Sequence, residues 1–384
     1  QAAEEKIKEL EEKIFAREAE RRKLHNLVSE LRGNVRVAVR VRPLLGKEPE
    51  EETNDHGIVM CDKKTQFVSL ERNDPKKDDI NYEFDKVFDN KTTQKDVFED
   101  VSDLVQSALD GYQVCIFSYG QTGSGKTHTM QGGHGEMRGL IPRAVEKILA
   151  TSEAMKEDGW EYTITTSFLE IYNETVNDLF KVKGKENVKY TIRQTKQGVE
   201  IDNLETEGLN DYSQLEGLLA RAQRNKSVAS TAMNQNSSRS HCCFILRIKG
   251  VNEKRKTVAH GMLNLVDLAG SERLDRSGVT GDRLKETLAI NKSLSSLVDV
   301  FNALAKKSKH VPFRNSKLTF MLQGCLSGHG KTMMIVNVSP TTKSSNETLC
   351  SLRFAKSVNQ TELGRAKKNV AASNTKRPST APGR

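Results

Sequence analysis

Two hydrophobic periods alternate along this chain. Residues 35–41, VRVAVRV, alternate strictly, which puts Val35, Val37, Val39 and Val41 on one face of a strand that Pro43 ends. Apolar runs from Val114 to Tyr119, Tyr162 to Ile171, Cys243 to Ile248, Met262 to Asp267 and Met333 to Val338 predict further strands. Stretches of helical character, notably 94–110, 140–157, 211–226 and 283–305, separate them. That order predicts an α/β fold, a central mostly parallel or mixed sheet flanked by helices on both faces. The segments 71–80 and 181–189 are polar and read as surface loops without a chemical signature.

Both ends depart from this pattern. Ile7, Leu10, Ile14, Arg17, Arg21, Leu24, Val28 and Leu31 follow 3-4 spacing, the seam of a coiled coil interrupted by two arginines. A lone amphipathic helix has the same spacing. Gly33 then offers a left-handed helix stop. Residues 366–384 contain Ala, Ser, Thr, Pro and Lys but no aromatic residue, a composition that predicts disorder. The expected division is a coiled-coil helix over 1–33, a globular domain over 34–363 and a basic tail over 364–384. The helical start at Gln1 suggests a longer parent chain.

Composition narrows the setting. Among 384 residues no uncharged apolar run approaches the ~18 needed to span a bilayer, so no membrane association is expected. Six cysteines lack paired CxxC spacing, which indicates neither zinc nor a disulfide framework and suits a reducing cytoplasm. The net charge of +9 is uneven, because residues 363–384 hold six basic side chains and no acidic one. A polyanionic partner fits, whether nucleic acid, anionic lipid or an acidic protein surface.

The chemistry is concentrated after the run ending at Tyr119. Gly120, Gln121, Thr122, Gly123, Ser124, Gly125, Lys126 and Thr127 form GQTGSGKT, the phosphate-binding loop in its required place between strand and helix. Its backbone N–H groups would wrap phosphates, Lys126 would reach the β- and γ-phosphates, and Thr127 would ligate magnesium. Ser238 can complete a magnesium shell, and Asp267 can hold a magnesium-bound water. Gly270 can offer a bare N–H to a γ-phosphate.

NQNSSRSH (Asn234 to His241), DLAGSE (Asp267 to Glu272) and GQTGSGKTHTM resemble, at three separated places, the phosphate loop and two switch loops of kinesins. The resemblance spans about residues 24–363 and implies an ATPase that uses ATP/ADP and Mg2+. By this likeness Arg239 and Glu272 form the ion pair that closes the site around the attacking water, with Ser237 and Asn234 helping to orient it. The base would stack against Arg40, Pro43 and His128, none of which has a unique local signature.

From Val300 to Asn346 there is no Asp or Glu, while Lys306, Lys307, Lys309, Arg314, Lys317, Lys331 and Lys343 supply seven positive charges. HVPFRNSKLT resembles the kinesin segment that docks on α/β-tubulin, which makes Lys306, Lys307, Lys309, Arg314 and Lys317 the expected microtubule contacts. LHNLVSELRGNVRV resembles the junction by which C-terminal-motor kinesins join an N-terminal neck to the core, with Asn26, Gly33 and Asn34 in it. Asn315 suits the same subgroup. The resemblance implies minus-end-directed movement, a homo- or heterodimer through the neck, and a cytoplasmic place on microtubules or the spindle. Two alternatives stand beside it, a non-motile microtubule crosslinker and a nucleic-acid-binding ATPase, although no specific nucleic-acid signature is present.

Overall fold

The computed structural model describes residues 33–46, 59–62, 66–70, 80–182, 188–195, 198–231, 237–272, 282–328, 330–361, 363–364 and 366–372, together with 17, 20, 24 and 26–28 in the N-terminal segment. The described N-terminal positions are helical, and most of the expected coiled coil lies outside the described residues.

In chain order the strands are β1 (Val35–Val41), β2 (Val59–Asp62), β3 (Phe67–Leu70), β4 (Ile80–Glu83), β5 (Lys86–Phe88), β6 (Gln113–Tyr119), β7 (Trp160–Tyr172), β8 (Thr175–Asp178), β9 (Ile192–Thr195), β10 (Gly198–Ile201), β11 (Glu207–Gly208), β12 (His241–Asn252), β13 (Thr257–Asp267), β14 (Lys331–Val338) and β15 (Val370–Ala372). The helices are α1 (Gln94–Leu109), α2 (Lys126–Met130), α3 (Leu140–Ala154), α4 (Tyr212–Thr231), α5 (Asp282–Ala305), α6 (Lys317–Leu326) and α7 (Ser345–Asn359). Ile80, expected in a loop, begins β4.

The main sheet runs β11-β7-β12-β13-β6-β14-β1-β5, with β8 beside β7 and β15 beside β13. Strands β13, β6, β14, β1 and β5 are mutually parallel, whereas β7 and β12 pair antiparallel. The parallel strands therefore deliver their C-terminal ends to one edge, where an open α/β sheet places ligands.

Strand β1 sits between β14 and β5, and all seven of its residues are buried. Its valines join one core layer with Leu297, Val300 and Phe301 of α5, Leu318 and Leu322 of α6, and Leu352 and Val358 of α7. Ala38 joins the opposite layer with Val101 and Leu104 of α1, Ile141 and Ile148 of α3, and Leu215 of α4. Helices thus cover both faces. A capping box fixes the start of α1, with Thr93 accepting from the Asp96 amide and the Asp96 carboxylate accepting from the Thr93 amide. Ser316 caps α6 by accepting from the Thr319 amide at 3.1 Å.

The expected boundary at 363/364 needs correction. Strand β15 pairs antiparallel with Thr257–Ala259 of β13, and Ala366 is buried. The Asn369 amide donates to the Gly111 carbonyl at 2.9 Å, and its carbonyl accepts from the His260 amide at 2.9 Å. The globular domain therefore continues through residue 372. Composition hides this because three strand residues find their partners only through the fold, where β13 extends past the start of β6.

Candidate functional site

The loops after β6, β13, β14 and β1 meet at the carboxyl edge of the sheet. Gly120 leaves β6 at φ 148°, and a Cβ there would lie 2.1 Å from the Asn337 carbonyl oxygen, so only glycine fits. The loop then turns through Gly125 into α2. Lys126 folds back over the loop, donating to the carbonyls of Gly120 at 2.8 Å and Gln121 at 2.9 Å. Burial lowers its pKa, and the nearby Asp267 and Glu272 carboxylates oppose that shift.

Thr127 Oγ1 donates to Asp267 Oδ2 at 2.6 Å, and the other carboxylate oxygen accepts from Ser118 Oγ at 3.2 Å. A hydroxyl and a carboxylate side by side at the phosphate loop are hard oxygen donors that fit a small divalent cation completed by phosphate and water. Among the described residues no cluster of three His, Cys, Asp or Glu side chains forms a separate metal site.

The two downstream loops close on the first. The Gly270 amide donates to the Ser238 carbonyl at 2.7 Å, and the Ser271 amide donates to the Gly120 carbonyl at 3.1 Å. Glu272 Oε2 accepts from the Thr122 amide at 2.8 Å, and its Oε1 accepts from the Thr122 hydroxyl. The Gly270 N–H, expected to face a γ-phosphate, is here the link between the two loops. Ser237 opens a short turn, Ser237–Arg239, which brings Ser238 and Arg239 to this edge. Asn234 lies outside the described residues.

The residues expected at the base divide into two kinds. Pro43 and His128 are exposed, as a stacking surface requires. Arg40 is buried instead, its Nη1 donating to Gln94 Oε1 at 2.7 Å and to Thr129 Oγ1 at 2.9 Å. That burial lowers its pKa to about 10, while burial and Arg40 together lower the His128 pKa. Two residues that sequence reasoning passed over tie this edge together. Gln94 Nε2 donates to the His128 carbonyl at 2.6 Å, tying α1 to α2. Arg42 Nε donates to the Gly123 carbonyl at 2.8 Å and its Nη2 to Ser339 Oγ at 3.0 Å, clamping the phosphate loop to the end of β14. The second arginine of VRVRP was the available signal for Arg42.

On the face carried by α5 and α6, Lys306, Lys307, Lys309 and Arg314 are exposed and Lys317 is half-buried. The Arg314 guanidinium lies 5.5 Å from the centre of the Phe320 ring. Two other lysines of the acid-free stretch do not belong to this group. Lys343 is exposed near the phosphate loop, where Gln121 Nε2 donates to the neighbouring Ser344 at 2.9 Å. Lys331 is buried, for its Nζ donates to Asn26 Oδ1 at 2.8 Å and to Ser107 Oγ at 2.9 Å and stands 4.2 Å from the Tyr112 ring centre. A count of charges cannot separate a buried lysine from a surface one.

The expected junction residues come together at the opposite edge. Asn26 Nδ2 donates to Asp110 Oδ2 at 3.2 Å. Gly33 turns the chain at φ 89°, and the Asn34 carbonyl accepts from the Thr332 amide at 2.7 Å. Asn34 Nδ2 donates to the Gly364 carbonyl at 2.6 Å, so the segment after α7 meets the start of β1 there.

A glycine cradle at a strand end, its lysine folded over the loop, and a threonine and aspartate poised for a cation together define a phosphate-loop nucleoside triphosphatase. The profile of the kinesin motor domain matches residues 40–361, and the chain belongs to that family of nucleotide-binding ATPases. It is 49% identical over 372 residues to the kinesin-like protein KIN-14N of Oryza sativa, covering 94% of this chain and 47% of the relative. It is 46% identical over 377 residues to carboxy-terminal kinesin 2 of Xenopus laevis, covering 94% and 58%. The chain thus spans about half the length of the curated relatives it matches.

Among solved structures, the C-terminal motor and motor homology domain of Kar3Vik1, fused to a synthetic heterodimeric coiled coil, superposes with a TM-score of 0.82 at 43% identity, covering 93% of each chain. The motor domain of Kar3 from Saccharomyces cerevisiae gives 0.74 at 43% identity, covering 85% of this chain and 100% of that one. These relatives match the C-terminal-motor subgroup.

Proposed function

We propose that the chain is a microtubule-stimulated ATPase that uses Mg2+ and ATP to move toward microtubule minus ends. One observation carries the reading. The three loops that would surround a γ-phosphate are already in mutual contact, through Glu272 on Thr122, Gly270 on Ser238, and Thr127 on Asp267. Thr127 and Ser238, and Asp267 through water, would hold a magnesium ion, which would supply positive charge to neutralise the phosphates. The protein then supplies position, with Lys126 at the phosphates and Ser237, Arg239, Gly270 and Glu272 around the attacking water.

The same core layer that touches the phosphate edge carries α5 and α6, and with them the exposed Lys306, Lys307, Lys309 and Arg314. Their charge suits the acidic surface of α/β-tubulin as it would other polyanions, and membership of the kinesin family is what favours microtubules over nucleic acid or membrane. Among the described residues no helix is long and apolar enough to cross a membrane. The helical segment at Asn26 precedes the core and touches it, which supports a neck that swings with the nucleotide state, dimerises with an identical or related chain, and works on the cytoplasmic cytoskeleton or spindle. Nothing in the site favours a non-motile crosslinker, since Thr127 is bonded to Asp267 and the Asp267 and Glu272 carboxylates both lie near the Lys126 ammonium.

The test is turnover of the purified chain with microtubules or DNA added, followed by gliding of polarity-marked microtubules. Stimulation by microtubules alone, with motion led by plus ends, is expected. Stimulation by DNA, or gliding in the opposite sense, contradicts the reading.

A further inference from the structure

We propose that His241 is a positioning residue that couples the phosphate-sensing loops to helix α5 through one directed chain of hydrogen bonds. This rests on the functional reading above and deepens it. The Ala269 amide donates to His241 Nδ1 at 3.0 Å, which makes that nitrogen the acceptor. The ring proton of the neutral imidazole therefore sits on Nε2, which faces Ser293 Oγ at 2.7 Å. Ser293 Oγ in turn donates to the Ile290 carbonyl at 2.8 Å, so it must accept from the ring. The direction of the whole chain is fixed by its two ends.

Every member is buried, with His241 and Ser293 each 2% exposed and Ala269 fully enclosed. Water cannot replace a partner that moves away, so displacing one group leaves a donor or acceptor stranded. Burial also holds the imidazole neutral, with its pKa lowered to about 3, and the Lys126 charge adds to that shift.

The chain joins the elements that motility must link. Ala269 lies between Asp267 and Gly270, and the Gly270 amide is bonded to Ser238 just ahead of His241 in sequence. Ser293 lies on α5, which packs with α6 and the 313–315 turn in one core layer beneath Arg314 and Lys317. A shift of the 268–270 segment on closing around a γ-phosphate must either carry the imidazole and α5 along or break the chain. Track binding that moves α5 acts on the loops by the same route.

Two variants cut the chain in one place each. Ser293→Ala removes the hydroxyl while leaving His241 on Ala269. His241→Asn keeps an acceptor at the Nδ1 position and cannot reach Ser293. Each should fold and retain filament-free turnover close to the parent, at a melting temperature lowered by the one lost buried hydrogen bond, yet lose roughly five- to ten-fold of the maximal microtubule-stimulated rate, the size expected for such a bond. The microtubule concentration for half-maximal rate should change less than the maximal rate, and Ser293→Thr, which restores the hydroxyl, should recover stimulation. Histidine nitrogen NMR should report the Nε2–H tautomer in the parent chain. If both variants fold and are stimulated like the parent, or if the ring carries its proton on Nδ1, the relay is wrong. Should one variant fail to fold, the other decides. A parent chain whose turnover microtubules do not raise would refute the functional reading and this proposal with it.

Discussion

Lys331 and Asn26 lie 305 positions apart, yet the lysine Nζ donates to the asparagine Oδ1 at 2.8 Å in a site closed to solvent. The asparagine amide also reaches Asp110, so one neutral side chain on the N-terminal helix bridges a buried cation and a buried anion of the core. Asn26→Ala would take one hydrogen-bond partner from each of these buried charges, at a cost of about 1–3 kcal/mol. That loss should loosen the helix from the core without touching the nucleotide edge. Gliding velocity is expected to fall by more than half while microtubule-stimulated turnover persists. Equal velocities for parent and variant would show that the contact does not transmit force.

Glu272 grips the phosphate loop through the amide and hydroxyl of Thr122. Replacing it with Ala leaves Lys126 and its two carbonyl contacts in place, so nucleotide should still bind. Closure of the loops should fail, and turnover should drop by roughly 100-fold or more, as when a group acts chiefly in the transition state. Fluorescent-nucleotide binding and steady-state turnover measure the two effects separately. A variant that hydrolyses ATP at the parent rate would remove Glu272 from the catalytic arrangement.

The track face is testable through charge. Substituting Lys309, Arg314 and Lys317 together by Ala should raise the microtubule concentration for half-maximal turnover by roughly ten-fold or more at low salt, and the gap should narrow as salt screens exposed charge over about 8 Å near physiological strength. Lys331 must stay out of such a variant, because its ammonium is buried among Asn26, Ser107 and Tyr112. Co-sedimentation at two salt concentrations gives the comparison. Affinity matching the parent at low salt would put the docking surface elsewhere.

The parts that could be read from the sequence alone are those whose partners are near in sequence or whose pattern repeats. The strand at 113–119, the glycine loop and the helix at 126–130 follow one another, so their chemistry was legible in one continuous segment. The strands of the main sheet announced themselves by apolar runs, although the arginines of β1 are buried because β14 and β5 flank it and helices cover both faces. Gln94 escaped notice because its role depends on Arg40 and His128, which only the fold brings near. The burial of Lys331 was hidden for the same reason, its partners lying on α1 and the N-terminal helix. Strand β15 carries no periodicity in three residues and exists only because β13 overhangs β6.

The buried imidazole of His241 also fixes a dependence of stability on pH. Its pKa is lowered from 6.5 to about 3, so between those values the unfolded chain binds a proton that the folded chain refuses. Stability therefore rises with pH across that window and is lost as pH falls below 6.5, at about 1.4 kcal/mol per pH unit for this one group. From pH 6.5 to 5 the loss from His241 is about 2 kcal/mol. Other groups act in the opposite sense, since burial raises the pKa of Asp85 and Asp178 and their protonation favours the folded state. The comparison with His241→Asn removes those common contributions. Urea unfolding at pH 7.5, 6.5, 5.5 and 5 should find the variant less stable than the parent at the top of the range and the two curves converging toward the bottom. Parallel curves would mean that the imidazole titrates normally in the folded chain, and that water reaches a ring the geometry encloses.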